Sequence, residues 1–223
     1  MIAFGCAVSN PRVFETVALP SIRAAGEADG PLLTRHGYDS IQRAYNEILD
    51  EAAEVDELEA LVLIHQDIEL TDGSLLPRVR PLLREPEVGV VGILGGRAVP
   101  PHCWWETEDL YGRACTPLID AHHSVGPHEV EVVDGALLVL SPWVVRALRF
   151  DPALARDFHG YDVDFCMQVR RNGGMVVCED VPYMHHMQKP WADHEQYMRA
   201  GRTVARRWGQ HLSPRERIPS FPT

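Results

Sequence analysis

The stretch Leu61-Val-Leu-Ile-His-Gln-Asp-Ile68 decides the reading of this chain. Its four consecutive aliphatic residues predict a strand buried on both faces. A parallel strand of an α/β sheet is a near-continuous apolar run rather than an alternation. The run then breaks into His65-Gln66-Asp67. Ligands of open α/β sheets bind outside the carboxyl ends of the strands. Asp67 therefore stands where a carboxylate meets a ligand or a metal, or merely caps its own turn.

The flanking sequence repeats the strand-helix rhythm. Ile2 to Val8 predicts a first strand, and Arg12 to Ala25 has near-helical apolar spacing that Pro20 weakens. Leu32-Leu33-Thr34 predicts a short second strand. Asp39 or Ser40 then caps a helix with an inner face of Ile41, Ala44, Tyr45, Ile48, Leu49 and Ala52. After the central strand, Pro77 and Pro81 predict a segment that is only partly helical, and Val88 to Leu94 predicts another buried strand ending in Gly95-Gly96. This β-α-β-α-β-α-β order predicts a mostly parallel central sheet flanked by helices.

Beyond it the rhythm fails. Residues 97 to 128 read as a long irregular loop holding Trp104-Trp105 and four histidines. Val130 to Leu140 predicts a strand bent at Asp134-Gly135. Ser141-Pro142 opens a helix to Leu148. Another helix runs from Tyr161 to Asn172 and is closed by Gly173-Gly174, followed by a strand at Met175 to Cys178. Ala192 to Trp208 predicts a final helix that covers either the core or a partner, which leaves a homodimer open. The expected organisation is one domain over residues 1–212 with a Pro-rich tail at 213–223.

Composition narrows the function. A chain of 223 residues with 45% hydrophobic and 24% charged residues has the makeup of a globular protein with a substantial core. A net charge of −11 argues against nucleic acid or an anionic membrane surface as partner, since both require a basic footprint. Cys6, Cys103, Cys115, Cys166 and Cys178 form no CxxC pair, so neither a disulfide framework nor a zinc site is expected. No apolar run approaches the roughly 18 residues of a spanning helix. Ile2 to Val8 lacks the basic flank of a signal peptide. A cytoplasmic protein is expected.

Three constellations carry possible chemistry. Asp162 shares a helical face with Phe165, Cys166 and Val169, whereas Asp164 lies on the side of Gln168 and Arg171. A first-turn carboxylate on an inner face is either a general base favoured by the helix dipole or an ordinary helix-start acid. His185-His186 follow a strand as Asp67 does. One imidazole and one carboxylate can share a divalent cation and leave positions for phosphate oxygens and water. Trp104-Trp105 offers a flat platform for a sugar ring or simply packs the loop. No GxGxxG or GxxxxGK[ST] loop occurs, which removes the dinucleotide-binding and P-loop readings.

The ordered series Ser40-Ile-Gln-Arg-Ala-Tyr-Asn46, Leu63-Ile-His-Gln-Asp67, Val88-Gly-Val-Val-Gly92 with Trp104-Trp105, Val133-Asp-Gly135, Phe158-His-Gly-Tyr-Asp-Val-Asp-Phe165 and His185 resembles the family 2-like glycosyltransferases of the GT-A fold, and among them the bacterial StrF-type branch. The resemblance implies a nucleotide-diphospho-sugar transferase fold, an NDP-sugar donor such as a UDP-sugar, and a divalent metal, Mn2+ or Mg2+. It places His65-Gln66-Asp67 at the DxD motif, with Asp67 and either His185 or His186 as metal ligands. It makes Asp162 the base that deprotonates an acceptor hydroxyl, with Asp164 as runner-up, although Tyr161 stands where the family carries Glu. Ser9, Asn46, His65 and Gln66 fall on the donor side, and Trp104, Trp105, Asp134 and Gly135 on the acceptor side. The family's base-binding Asp after the second strand has no convincing match. The alternative is a noncatalytic GT-A-like domain that binds a nucleotide sugar or a partner protein.

Overall fold

A computed structural model describes residues 1–99, 104–154, 158–187 and 194–209; the expected Pro-rich tail lies outside them. In chain order the elements are β1 (Ile2–Val8), α1 (Pro11–Val13), a π turn (Phe14–Ala18), α2 (Leu19–Ala25), β2 (Leu32–His36) and α3 (Ile41–Ala53). There follow β3 (Ala60–Ile64), β4 (Ile68–Leu70), α4 (Leu75–Leu83), β5 (Val88–Gly92), β6 (Leu94–Gly96), β7 (Leu110–Cys115) and β8 (Asp120–His122). The chain continues through β9 (His128–Val130), β10 (Val132–Val133), β11 (Leu137–Leu140), α5 (Pro142–Ala147), α6 (Tyr161–Arg171), β12 (Met175–Cys178), β13 (Tyr183–His185) and α7 (His194–Trp208).

The main sheet has the order β2-β1-β3-β11-β5-β12-β9. Strands β1, β2, β3, β5 and β12 run one way, and β9 and β11 run the other. The sheet is therefore mostly parallel, as its apolar runs predict. Alternate residues of β3 enter two cores: Leu61 and Leu63 face α3, α5 and α6, while Ala60, Val62 and Ile64 face α2 and α4. A strand covered on both faces has no polar side, which is why Leu61 to Ile64 is a continuous apolar run.

The helices follow from local chemistry. Ser40 caps α3, its hydroxyl accepting from the Arg43 N–H, and Tyr45, Ile48, Leu49 and Ala52 are buried beneath it. The segment from Pro11 to Ala25 is helical throughout, because the π turn before Pro20 leaves its missing N–H outside the regular ladder. Segment α4 is helical across Pro81, contrary to the expected partial helix; burial of Leu75, Leu76, Val79 and Leu82 outweighs one lost hydrogen bond.

The strand expected from Val88 to Leu94 is in fact two, shared between sheets. Strand β5 belongs to the main sheet, and β6 turns away into a second sheet ordered β10-β6-β7-β8. Gly92 permits the crossing: a Cβ there would lie 2.5 Å from the Val133 Cβ. The expected irregular loop contains the β7–β8 hairpin. Gly112, at φ +80°, breaks the alternation that would have marked β7. The bend at Asp134-Gly135 likewise separates β10 from β11.

Helix α7 packs on its own chain: Trp208 is buried and its indole N–H donates to Asp164 Oδ1 at 2.7 Å. Cys6, Cys115, Cys166 and Cys178 are buried free thiols. Among the described residues no helix is long and apolar enough to cross a membrane. Overpacking a native core costs about 1–3 kcal/mol, so Gly92→Ala is expected to lower unfolding stability by that amount in urea. Gly73→Ala, where an added Cβ meets nothing within 4 Å, is expected to leave it unchanged.

Candidate active site

The C-terminal edge of the main sheet brings His65, Asp67 and His185 together, their ligand atoms all within 4.8 Å of one another. Each is placed by backbone pairing. The His65 N–H donates to the Ala136 carbonyl at 2.9 Å, which fastens the turn after β3 to the start of β11. Strand β4 continues from that turn and pairs antiparallel with β13, setting His185 opposite Ile68. The His186 N–H closes the arrangement on the Asp67 carbonyl at 2.8 Å. Successive strand side chains point to opposite faces. His185 Nε2 therefore lies 3.4 Å from Asp67 Oδ1, while His186 turns away to Glu69 at 2.7 Å. The sequence left the choice between the two histidines open; strand alternation puts His185, not His186, beside Asp67.

Protonation in the cluster suits a cation. Burial pushes the His65 imidazole down to about 4, against the upward pull of Asp67, so it is neutral at pH 7. Burial works to raise Asp67, but the His185 hydrogen bond and the two imidazoles outweigh it and hold the carboxyl below its ordinary value. A neutral His65 imidazole, the His185 imidazole beside it and an ionised Asp67 carboxylate offer three ligand atoms of the kind a divalent ion accepts.

Asp162 sits at the start of α6, after Gly160 in the left-handed conformation at φ +83°, which an L side chain rarely adopts. Its Oδ2 accepts from the Gly135 N–H at 3.2 Å and its Oδ1 from the Val163 N–H at 2.9 Å. Burial, and then the like charge of Asp134, raise its carboxyl to about 7. A carboxylate poised near neutrality is what a general base requires.

Tyr161 joins the two halves. Its hydroxyl lies 2.7 Å from His65 Nε2 and donates to the Gly135 carbonyl at 3.0 Å. Gly135 has no room for a side chain, since a Cβ would fall 2.3 Å from that hydroxyl oxygen. The resemblance marked Tyr161 only as the place of an absent Glu; the pairing of a bulky phenol with an obligatory glycine was the available signal for its role. The exposed ring of Phe158 flanks the cluster, 5.8 Å from the His65 ring.

Other expected site residues fall further out. The Gln66 carboxamide accepts from the Ser9 and Asn10 N–H groups at 3.0 and 2.8 Å and donates to the Ser9 hydroxyl at 2.8 Å, so it clamps the β1–α1 turn to the turn after β3. Asn46 is committed to the Phe150 backbone, donating and accepting at 2.8 Å. The rings of Trp104 and Trp105 are perpendicular at 86° and make no flat platform. Trp104 is buried, and Trp105 packs edge-on against Tyr197 at 4.1 Å. Asp134 Oδ1 accepts from the Ala136 N–H at 2.7 Å, holding the turn that carries Gly135.

A family model described as a glycosyltransferase-like family matches residues 3–207. The streptomycin biosynthesis protein StrF of Streptomyces griseus is 31% identical over 238 residues, covering 100% of this chain and 83% of that protein. Among solved structures, GalNAc-T7 with UDP, GalNAc and Mn2+ matches with a TM-score of 0.64 at 9% identity, over 95% of this chain and 48% of that one. The mannosyltransferase PcManGT from Pyrobaculum calidifontis, in complex with GDP-Man and Mn2+, matches at 0.55 and 14% identity, over 84% and 57%. The fold is thus of the GT-A type.

The second aspartate of α6 faces away from this cluster. Asp164 is 1% exposed; beside Trp208 it accepts from Gln168 Nε2 at 2.9 Å and lies 3.3 Å from Arg207. Leaving a buried hydrogen-bonding group unpaired costs about 1–3 kcal/mol. Asp164→Ala is therefore expected to lose at least that much stability in chemical denaturation, with α7 exchanging its amide protons faster than the sheet.

Proposed function

This chain belongs to the glycosyltransferase-like family, and we propose that it is a metal-dependent, inverting transferase of the family 2-like, hexosyl-transferring type. It moves a sugar from a nucleotide-sugar donor to an acceptor hydroxyl, within one domain over residues 1–212. The observation that carries this reading is the opposition of the His65/Asp67/His185 cluster to Asp162 across the Tyr161 hydroxyl. Two fold neighbours bound to Mn2+, one with UDP and one with GDP-Man, support the metal and the donor class. Similarity to a streptomycin biosynthesis protein supports a biosynthetic role.

Asp67, His185 and His65 would hold the cation. When bound, it supplies the positive charge that stabilises the departing diphosphate. The chain's own residues do the rest. Asp162 accepts the proton of the acceptor hydroxyl as that oxygen bonds to the anomeric carbon. The bond from that carbon to the diphosphate breaks, and its electron pair leaves with the phosphate oxygen. The Gly135 and Val163 N–H groups keep the Asp162 carboxylate aimed while it takes the proton. Ser9 and the clamped β1–α1 turn border the donor side, and the Asp134-Gly135 turn borders the acceptor side.

Asp162→Asn is expected to abolish transfer, measured by release of nucleoside diphosphate, while leaving donor affinity within a few-fold of wild type. Unimpaired turnover would contradict the assignment of the base. Donor binding without any transfer by the wild-type chain would favour the noncatalytic domain instead. The pH profile supplies a second test. A base works in its ionised form, so kcat/KM should fall by about tenfold per pH unit below an inflection near the Asp162 value of about 7 and level off above it. Asp134→Asn removes a like charge and should move that inflection to lower pH.

A further inference from the structure

The hydroxyl of Tyr161 has one proton and two neighbours. The Gly135 carbonyl can only accept, so the hydroxyl proton lies in that 3.0 Å bond. The other contact, 2.7 Å to His65 Nε2, therefore requires the imidazole to donate. A neutral histidine carries one N–H. His65 is thus the Nε2–H tautomer, and Nδ1 keeps its lone pair. Tyr161 is fully enclosed, touching Tyr45 and Phe150 as well as His65, and the absent side chain of Gly135 makes room for its hydroxyl. The ring cannot turn away without leaving the core.

We infer that Tyr161 is a positioning residue that makes His65 the third protein ligand of the cation through Nδ1, and that the resulting set of two imidazoles and one carboxylate selects ions accepting nitrogen donors over Mg2+. This rests on the metal-dependent reading above and goes beyond it in naming the ion class. Mg2+ is a hard, oxygen-seeking ion that sheds water reluctantly, whereas imidazole suits later first-row ions. A hydrogen bond to the distal nitrogen of a ligating histidine fixes its tautomer and ring orientation, and its loss typically costs 10–100-fold in metal affinity. The order Co2+ and Zn2+ tighter than Mn2+, and Mn2+ tighter than Mg2+, follows from the donor set.

The test uses the full chain, stripped of metal by chelation and titrated with Co2+ or Mg2+ alone. Binding is read by calorimetry and by the visible absorption of Co2+, which responds to its ligands without any turnover. Wild type should bind Co2+ at concentrations where Mg2+ neither binds nor competes. Tyr161→Phe should weaken Co2+ by roughly 10–100-fold, and His65→Ala should change the Co2+ spectrum. His65→Asp should let Mg2+ compete. A purely structural Tyr161 would lower the metal-free melting temperature but leave ion preference untouched. Equal Co2+ affinity in Tyr161→Phe and wild type, or a spectrum unaltered by His65→Ala, would overturn the inference and leave a metal-dependent transferase standing. Failure of wild type to bind any cation, with or without UDP or GDP, would overturn the metal reading and the inference with it.

Discussion

One phenol hydroxyl ties this site together. Through it the turn after β3, the turn before β11 and the first turn of α6 share a hydrogen-bonded junction: His65 to Tyr161, Tyr161 to Gly135, and Gly135 to Asp162. Each turn brings one functional group to the same sheet edge. Strands β3 and β11 are adjacent and antiparallel, and α6 packs over the neighbouring β5, β10 and β12. A glycine at 135 and a left-handed glycine at 160 are what this junction demands of the backbone.

That junction divides labour between two carboxylates. Asp67 lies among imidazoles that favour its ionised form, whereas desolvation and the nearby charge of Asp134 disfavour that of Asp162. The first is thereby suited to hold a cation and the second to accept a proton. The same helix carries a third carboxylate, Asp164, about half a turn away, and gives it to the packing of α7 through Trp208 and Arg207. A single helix thus separates a chemical face from an architectural one.

Much of this was legible in the residues. The apolar run Leu61 to Ile64, the amphipathic stripe of α3 and the Gly173-Gly174 stop of α6 each report a local rule, and each element formed where its pattern placed it. The split of β5 from β6 and the reversed direction of β11 were not legible. The split depends on Gly92 accepting Val133 from a distant segment, and the direction of β11 shows only in its pairing with β3 and β5. The hairpin of β7 and β8 was hidden because Gly112 interrupts its period. At the site, Asp67, Asp162 and the pair His185-His186 could be proposed from order and resemblance. The partners that orient them could not, since Tyr161 to His65 and Gln66 to Ser9 are contacts across 96 and 57 residues.

The most direct test of the account is thermal unfolding of the intact chain with a panel of nucleoside diphosphates and nucleotide sugars, each with and without Mn2+. A ligand at 100 times its dissociation constant adds roughly 2.7 kcal/mol of stability, enough to move a melting curve. A metal centre that meets a diphosphate predicts a shift for one nucleotide base that needs the metal and disappears with Asp67→Ala. A well-folded protein whose melting temperature stays put for every nucleotide, or shifts equally without metal, would contradict it.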